Sequence, residues 1–526
     1  MKYTFPCGCS FDAEEHNGKT FIKPYNELEV PLDCPACWKL VQGGHTLGIF
    51  QLDSKSSSLG KFTAKRMIPE NEHHLAQLFA IVRPGCMDAK IDDVSVTQHF
   101  MKRKNGDEEI HPIHPAISDI TAPTQEFMIY QEQAMYVAQK IAGFSGSEGY
   151  ALVKAAAKKK PELMAKMREK FIAGCKAVAL VNEDDANRIF DQIEASQRYS
   201  FNQSHSYAYA LDSYYYSIYP KAHFPKAFYV AQLNNIKNLE EVRPIITEAL
   251  ELGVQILPPN ATSKNTEFKI ENGKIRFGLN HIKGSDSKSI NKLANEITPN
   301  PTLSECLMLL TRLNKRATDG LIKAGAFSFL GISRSTLLHW LETLKKLNGE
   351  AQREFVLSFE SIDVGLNELL CITPGRGKLL STSVSLKAAE RVRNYFDKPP
   401  TSLDDSIQQI FRWETEFLGY PFTSHEVDVY NALPTDFTCK DLKGLSYKQK
   451  GSISMRLIKV REWTNKNNET MAFIVGEDGS GVSSADLFAP KEVLQEYKAL
   501  LYQDNIVLIH GEKRKEKFYI DSVRQL

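Results

Sequence analysis

Arg198-Tyr-Ser-Phe-Asn-Gln-Ser-His-Ser-Tyr-Ala-Tyr-Ala-Leu-Asp-Ser-Tyr214 sets four polar side chains, Asn202, Gln203, Ser204 and His205, directly ahead of a run of aromatics. Tyr207, Tyr209, Tyr214, Tyr215, Tyr216 and Tyr219 lead on to Pro220-Lys-Ala-His-Phe-Pro225. Two readings of the stretch are open. In one, Asn202 caps a helix, the serine and histidine bond to backbone, and the tyrosines fill a core. In the other, a polar tetrad at the mouth of an aromatic-rich helix offers contacts for a sugar, a base and phosphates. The surrounding chain decides between them.

The chain has 526 residues, enough for two to four domains, each with a sizeable core. Its 65 basic and 64 acidic residues leave a net charge of +1, so any nucleic-acid site must come from local clustering of charge. No run of roughly 18 apolar residues is present to span a membrane. Met1-Lys-Tyr-Thr-Phe-Pro-Cys7 lacks the apolar core of a signal peptide, and the reading is of a cytosolic protein.

Four of the nine cysteines form two close pairs, Cys7-Gly-Cys9 and Cys34-Pro-Ala-Cys37. Thiolate pairs on tight turns suit a tetrahedral zinc site, which would stabilise a segment too short for its own core. Cys7, Cys9, Cys34 and Cys37 are the expected ligands, with His16 as a substitute for one of them. Cys86, Cys175, Cys306, Cys371 and Cys439 stand alone and read as small buried apolar residues.

Between these features, Trp38–Thr46 reads as a helix ended by Gly43-Gly44, and Leu47–Ser54 as a short strand. Leu78–Met87 reads as an apolar helix stopped at Arg83-Pro84-Gly85, and Ile129–Ile141 as an amphipathic helix. Residues 154–170 carry Lys154, Lys158, Lys159, Lys160, Lys166, Arg168 and Lys170 against Glu162 and Glu169, seven basic against two acidic and a local charge of +5. Such a run is either a solvated helix face or a cradle for an anion.

Several short words then share one order. Gly48-Ile-Phe-Gln-Leu-Asp-Ser54, Val82-Arg-Pro-Gly85, Ile129-Tyr-Gln-Glu-Gln133, Phe201-Asn-Gln-Ser-His205 and Lys221-Ala-His-Phe-Pro225 are followed by Ile256-Leu-Pro-Pro259, Ile275–Gly284, Leu321-Ile-Lys-Ala-Gly-Ala-Phe327 and Leu418–His425. In this order and spacing they resemble the bacterial DNA polymerase III alpha subunit, a family C replicative polymerase. The resemblance implies a fingers domain whose basic stretch holds the phosphates of an incoming deoxynucleotide. The nucleotide-binding candidates it implies are Lys154, Lys158, Lys159, Lys160, Asn202, Ser204 and His205, with Arg83 near the same cleft. Primer-template DNA and a deoxynucleoside triphosphate are the implied ligands. Three positions depart from the family: Val153-Lys154 replaces two arginines, Ala157 a glycine and Gln203 a lysine. Two cationic side chains are lost in consequence.

Polymerase chemistry also needs carboxylates for two Mg²⁺ ions, commonly an Asp-x-Asp pair. The chain contains none; Asp92-Asp93, Asp184-Asp185 and Asp404-Asp405 are adjacent pairs whose side chains diverge on a strand. The catalytic set is therefore expected to be empty here. Mg²⁺ is expected in an assembled enzyme whose palm is carried by a second, non-covalently docked polypeptide, an arrangement plausible for a phage genome. The alternative is a non-enzymatic DNA-binding replication accessory derived from a polymerase.

Toward the C-terminus, Gly325 lies between two expected helices and suits a helix-hairpin-helix, whose backbone amides grip phosphates; Lys323, Gly325 and Arg334 are its DNA-contact candidates. Asp286 replaces a hairpin glycine and would oppose a phosphate. Residues 398–412 read as a linker in which Ile407-Gln-Gln-Ile-Phe411 faintly resembles a sliding-clamp peptide. From 447, alternating strands at 451–460, 470–475, 483–488, 505–510 and 517–523, with a helix at 490–500, match an oligonucleotide-binding barrel. Trp463, Phe473, Lys513, Arg514 and Lys515 are its candidates for stacking or phosphate contact. The expected fold is thus multidomain α+β: a Cys-rich element (1–46), mostly helical fingers (47–275), a helix-hairpin-helix and clamp-binding-like region (276–397), a connecting segment (398–446) and a five-stranded OB-type barrel (447–526).

Overall fold

The computed structural model describes residues 2–16, 19–22, 30–53, 59–157, 161–347, 350–371, 404–430, 435–465, 467–480, 485–514 and 517–526. Lys158, Lys159, Lys160 and Lys515 lie outside the described residues. The chain divides into two compact units, residues 1–228 and 229–526. No described helix is long and apolar enough to cross a membrane.

The first unit opens with an antiparallel three-stranded sheet, Lys2–Thr4, Ser10–His16 and Lys19–Ile22, in that order. Cys7-Gly-Cys9 is the turn between the first two strands, and Gly8 sits there at φ +93°, a conformation that a side chain would strain. Helix Pro35–Gln42 follows, with Cys34 at its N-cap and proline at its first position. Leu47–Asp53 is not the expected strand. Gly48 and Gln51 both have positive φ, and the Gly48 amide donates to the Asp53 carboxylate at 2.8 Å. The buried Lys221 ammonium holds this curl by donating to the carbonyls of His45 (2.9 Å) and Leu47 (2.7 Å).

A four-helix cluster comes next: Gln131–Ala142, Gly146–Ala157, Pro161–Val178 and Glu183–Ser196. Val137, Ile141, Leu152, Phe171, Ile189 and Phe190 meet at its centre, all fully buried. The third helix crosses the first at Gly174, where a Cβ would lie 2.1 Å from the Ala142 carbonyl oxygen, so only glycine permits the contact. Arg168 pairs with Asp191 and Glu194, and Lys170 with Glu148, so part of the basic run joins helices and does not stand free.

The helical run from Gln203 to His223 closes the first unit. It is α-helical over Gln203–Ser213, widens into a π turn at Tyr214–Ile218, and resumes at Tyr219–His223. Pro220 explains the widening: it has no amide to donate and its ring would clash with the preceding turn of a regular helix. Tyr214 and Tyr219 are fully buried, as a core reading requires, whereas Tyr216 is 60% exposed.

The second unit begins with helix Val242–Glu251 and a small sheet in the order Ile256–Leu257, Lys274–Arg276, Lys269–Glu271. Short helices follow, among them Ser287–Glu296, Lys315–Lys323 and Arg334–Lys346. The part of the expected linker that is described is ordered: Ile407–Leu418 is a helix capped by Ser406, and Phe411 is 2% exposed. A clamp peptide needs that ring free, and here it packs against His425.

The unit ends in a closed barrel of Lys450–Thr464, Thr470–Glu477, Ala485–Ala489, Ile506–Arg514 and Lys517–Gln525. Taking these strands as one to five, the order around the barrel is 1-2-3-5-4, returning to 1, with only strands three and five parallel. Helix Lys491–Tyr497 bridges strands three and four. This is the oligonucleotide-binding topology. Period-two alternation builds it: Ile453, Met455, Leu457, Ala472, Ile474, Leu487, Ala489, Ile509, Phe518 and Ile520 point inward.

Candidate functional site

In the first unit, the quoted words meet around Phe201. A parallel bridge fixes it: the Phe201 amide donates to the Ile129 carbonyl and the Gln131 amide to the Phe201 carbonyl, both at 2.8 Å. Gly85 lets the next segment approach, since a Cβ there would already sit 3.3 Å from the Tyr199 Cα. Arg83, at the N-cap of Pro84–Asp88, then stacks on Phe201 with its guanidinium carbon 3.9 Å from the ring centre. His205 meets the same ring edge-on at 5.2 Å and Tyr209 at 4.3 Å.

The tetrad divides into held and presented groups. Asn202 caps the helix, its Oδ1 accepting from the His205 amide at 2.7 Å. Its Nδ2 donates to Glu132 Oε1, and the Gln203 amide donates to Glu132 Oε2, each at 2.8 Å. Ser204 and His205 are exposed beside the half-buried Arg83. One turn further, Ser206 Oγ donates to the Ala76 carbonyl at 2.6 Å and the Tyr207 hydroxyl bonds His73 Nδ1 at 2.8 Å, which fastens the run to helix Glu72–Ile81. Arg83, Asn202, Ser204 and His205 thus share one surface. Lys154 is exposed on helix Gly146–Ala157, where its ammonium lies 4.4 Å from the Tyr150 ring centre. Sequence reasoning did not assign Glu132 a role, although it sits inside a quoted word.

The cysteines also assemble in the first unit. Cys7 Sγ, Cys9 Sγ, Cys34 Sγ and a ring nitrogen of His223 all lie within 4.8 Å of one another. His223 Nε2 is 3.3 Å from Cys34 Sγ and 3.9 Å from Cys7 Sγ. This set differs from the sequence expectation in one member. Cys37 is fully buried beside Cys34 and Tyr214, and His223 completes the group. Hydrogen bonding from Cys37 is the main cause that pulls the Cys34 thiol down to about 3. Burial is the main cause that pushes Cys9 up to about 12. Of the lone cysteines, Cys86, Cys175, Cys306 and Cys439 are buried, as expected.

In the second unit, the barrel's outer surface carries a row of aromatics that the strand register creates. Phe473 pairs with Phe488 and Phe488 with Tyr519 across adjacent strands. Ring centres are 6.4 Å apart from Trp463 to Phe473, 5.4 Å from Phe473 to Phe488, and 4.8 Å from Phe488 to Tyr519. Lys517 lies 3.9 Å over the Phe473 ring and Arg514 4.9 Å over Tyr519. Aromatic faces interleaved with cations can stack bases and meet phosphates. Sequence reasoning singled out Trp463, Phe473 and Arg514 and did not single out Phe488, Tyr519 and Lys517, which the strand register sets in the same row. The signal was present: each missed aromatic stands between two inward-facing apolar residues.

Three expected DNA contacts face inward. Lys513 is buried and donates to the Leu442 carbonyl at 3.0 Å. Arg334, 6% exposed, pairs at 2.6 Å with the fully buried Glu414 and donates to the Lys323 carbonyl at 2.7 Å. Gly325 is needed at φ +79° because a Cβ would lie 2.7 Å from the Arg334 guanidinium. Its amide donates to the Ile322 carbonyl at 2.9 Å. The amides of Arg334 and Ser335 both donate to the Asp405 carboxylate, at 2.7 and 3.0 Å, so an internal anion already occupies that helix end. Lys323 is half-buried, with its ammonium 5.5 Å from the Phe417 ring centre. At the other hairpin Asp286 caps its own helix, accepting from the Ser289 amide at 2.9 Å.

Comparison with known proteins finds similarity along most of the chain. Residues 12–179 match the bacterial DNA polymerase III alpha subunit finger domain, and residues 253–337 match a helix-hairpin-helix motif. The DNA polymerase III subunit alpha of Aquifex aeolicus is 29% identical over 514 residues, covering 95% of this chain and 39% of that protein. That of Pseudomonas aeruginosa is 30% identical over 518 residues, covering 95% and 42%. That of Escherichia coli K12 is 28% identical over 513 residues, covering 94% and 41%. The chain spans about two fifths of the length of these relatives.

Proposed function

We propose that this chain, which belongs with the C-terminal portion of the DNA polymerase III alpha subunit, serves DNA replication as the fingers and DNA-holding part of a DNA-directed DNA polymerase. The observation that carries this reading is the meeting of Arg83 and His205 on the Phe201 ring, brought together from separate words of the sequence, with Ser204 exposed next to His205. An incoming deoxynucleoside triphosphate would find there a guanidinium, a hydroxyl and an imidazole on one exposed surface. Lys154, with Lys158, Lys159 and Lys160, would neutralise its phosphates. The barrel's aromatic row, with Arg514 and Lys517, would hold the single-stranded template. Lys323 remains a candidate for the DNA backbone.

Transfer of a nucleotidyl group to a primer 3′-hydroxyl requires Mg²⁺ ions, which activate the attacking oxygen and neutralise the departing pyrophosphate. These 526 residues contain no Asp-x-Asp pair to hold them. We place the metal-binding palm outside these 526 residues, in the assembled enzyme of the bacterial cytoplasm. The residues here would bind, orient and enclose the nucleotide and grip the duplex.

A second reading, a DNA-binding replication accessory without catalysis, is favoured by one observation. Val153, Ala157 and Gln203 stand where the family carries two cations and a glycine. Primer extension separates the two. Extension by this chain mixed with a palm-bearing polypeptide, and by neither alone, supports the polymerase. DNA binding without extension in a mixture that forms the complex supports the accessory.

A further inference from the structure

The Cys7, Cys9, Cys34 and His223 cluster stands outside the nucleotide surface and its role is independent of the polymerase reading. Its geometry is that of a four-donor ligand cage. For zinc–sulfur bonds of about 2.3 Å and a zinc–nitrogen bond of about 2.0 Å, tetrahedral angles put sulfurs roughly 3.8 Å apart and sulfur from nitrogen roughly 3.5 Å. The observed 3.3 and 3.9 Å from His223 Nε2 to Cys34 and Cys7 bracket that separation, and all four donors lie within 4.8 Å of one another.

The donors are also aimed and enclosed. His223 lies against the Phe5 ring at 4.5 Å and the Tyr219 ring at 4.2 Å, which fixes its plane. Cys9 and Cys34 are buried, and Cys7 and His223 are partly so. Gly8 supplies the left-handed turn that points Cys7 and Cys9 the same way, and Cys34 sits at a helix N-cap. Three soft thiolates and one imidazole select zinc, and a set of four protein donors marks the site as structural.

We propose that Cys7, Cys9, Cys34 and His223 bind one structural zinc ion, which fastens the N-terminal hairpin to the end of the helical run that starts at Asn202. The histidine comes from 189 residues beyond Cys34, so the ion closes a long loop and sets the position of the helix whose other end carries Ser204 and His205. Cys37 supports the site from behind by its contact with Cys34, and is not a ligand.

X-ray absorption at the zinc edge, on the full chain purified without chelator, tests this directly. The expected result is about one zinc per chain with three sulfurs near 2.3 Å and one nitrogen near 2.0 Å. Less than about half an equivalent of zinc, or a shell of four sulfurs, overturns the proposal. His223→Ala is expected to lose zinc and Cys37→Ala to retain it; the reverse pattern also overturns it. Because the wild-type spectrum needs no variant, a substitution that fails to fold leaves the test intact.

Discussion

Replacing Arg334 separates a DNA contact from a buried structural pair. Arg334 is 6% exposed, and its guanidinium bonds Glu414 at 2.6 Å, the Lys323 carbonyl at 2.7 Å and Thr423 Oγ1 at 3.2 Å. Glu414 is fully buried and also accepts from the Phe422 and Thr423 amides, at 2.5 and 2.7 Å. Arg334→Ala therefore leaves a carboxylate in the interior without its cation, at a cost of about 3–5 kcal/mol. That is a large share of the roughly 5–15 kcal/mol that stabilises a domain. Urea denaturation of the full chain should show the loss in the transition of the unit 229–526. Arg334→Met combined with Glu414→Leu removes both charges together and should recover part of it, since the pair's desolvation cost goes as well while the Phe422 and Thr423 amides lose their acceptor. A surface phosphate contact behaves differently: its loss leaves stability unchanged and lowers the salt dependence of duplex binding by about one unit of slope. Arg334→Ala with a stability change under about 0.5 kcal/mol and a reduced salt slope would refute the buried-pair account.

Three further outcomes follow from the geometry. Phe488→Ala or Tyr519→Ala should weaken single-strand binding by about 1–3 kcal/mol each, read by fluorescence anisotropy, while leaving duplex binding largely intact. Glu132→Ala removes the acceptor of the Gln203 amide and the Asn202 side chain, so hydrogen exchange at Gln203 should accelerate; unchanged protection would show that the carboxylate does not hold the tetrad. Glu477 gives the second unit an acid-sensitive point. Burial works against its charge, but His425, 3.4 Å away, and Arg243 outweigh it and hold the carboxyl down at about 2. Its folded value is depressed, so its contribution is complete above the unfolded value near 4.5 and disappears as pH falls toward 2. Glu477→Gln should flatten the fall in stability over that window, measured by denaturant midpoints at several pH values.

The barrel was the most legible part of the fold because each strand alternates between core and surface, and its inward residues announce the period. The same alternation contained Phe488 and Tyr519, but which outward rings become neighbours depends on register between strands, which no single strand specifies. The Asn202 cap was legible because a capping group bonds three residues along the chain. Arg334 and Lys513 were misread because their direction is set by distant partners, Glu414 and the Leu442 carbonyl. His223 is the same case: local spacing paired the cysteines and offered Cys37, while the fold brought a histidine from the far end of the unit. Leu47–Asp53 has strand composition, yet a buried lysine 174 residues away from Leu47 curls it into turns.

The most direct test of the central claim is primer extension in Mg²⁺ by this chain together with a polypeptide that carries an Asp-x-Asp palm. The account predicts template-directed incorporation by the mixture, none by either component alone, and a marked loss of incorporation with His205→Ala at unchanged complex formation. Extension by this chain alone, or full activity of the His205→Ala mixture, would contradict it.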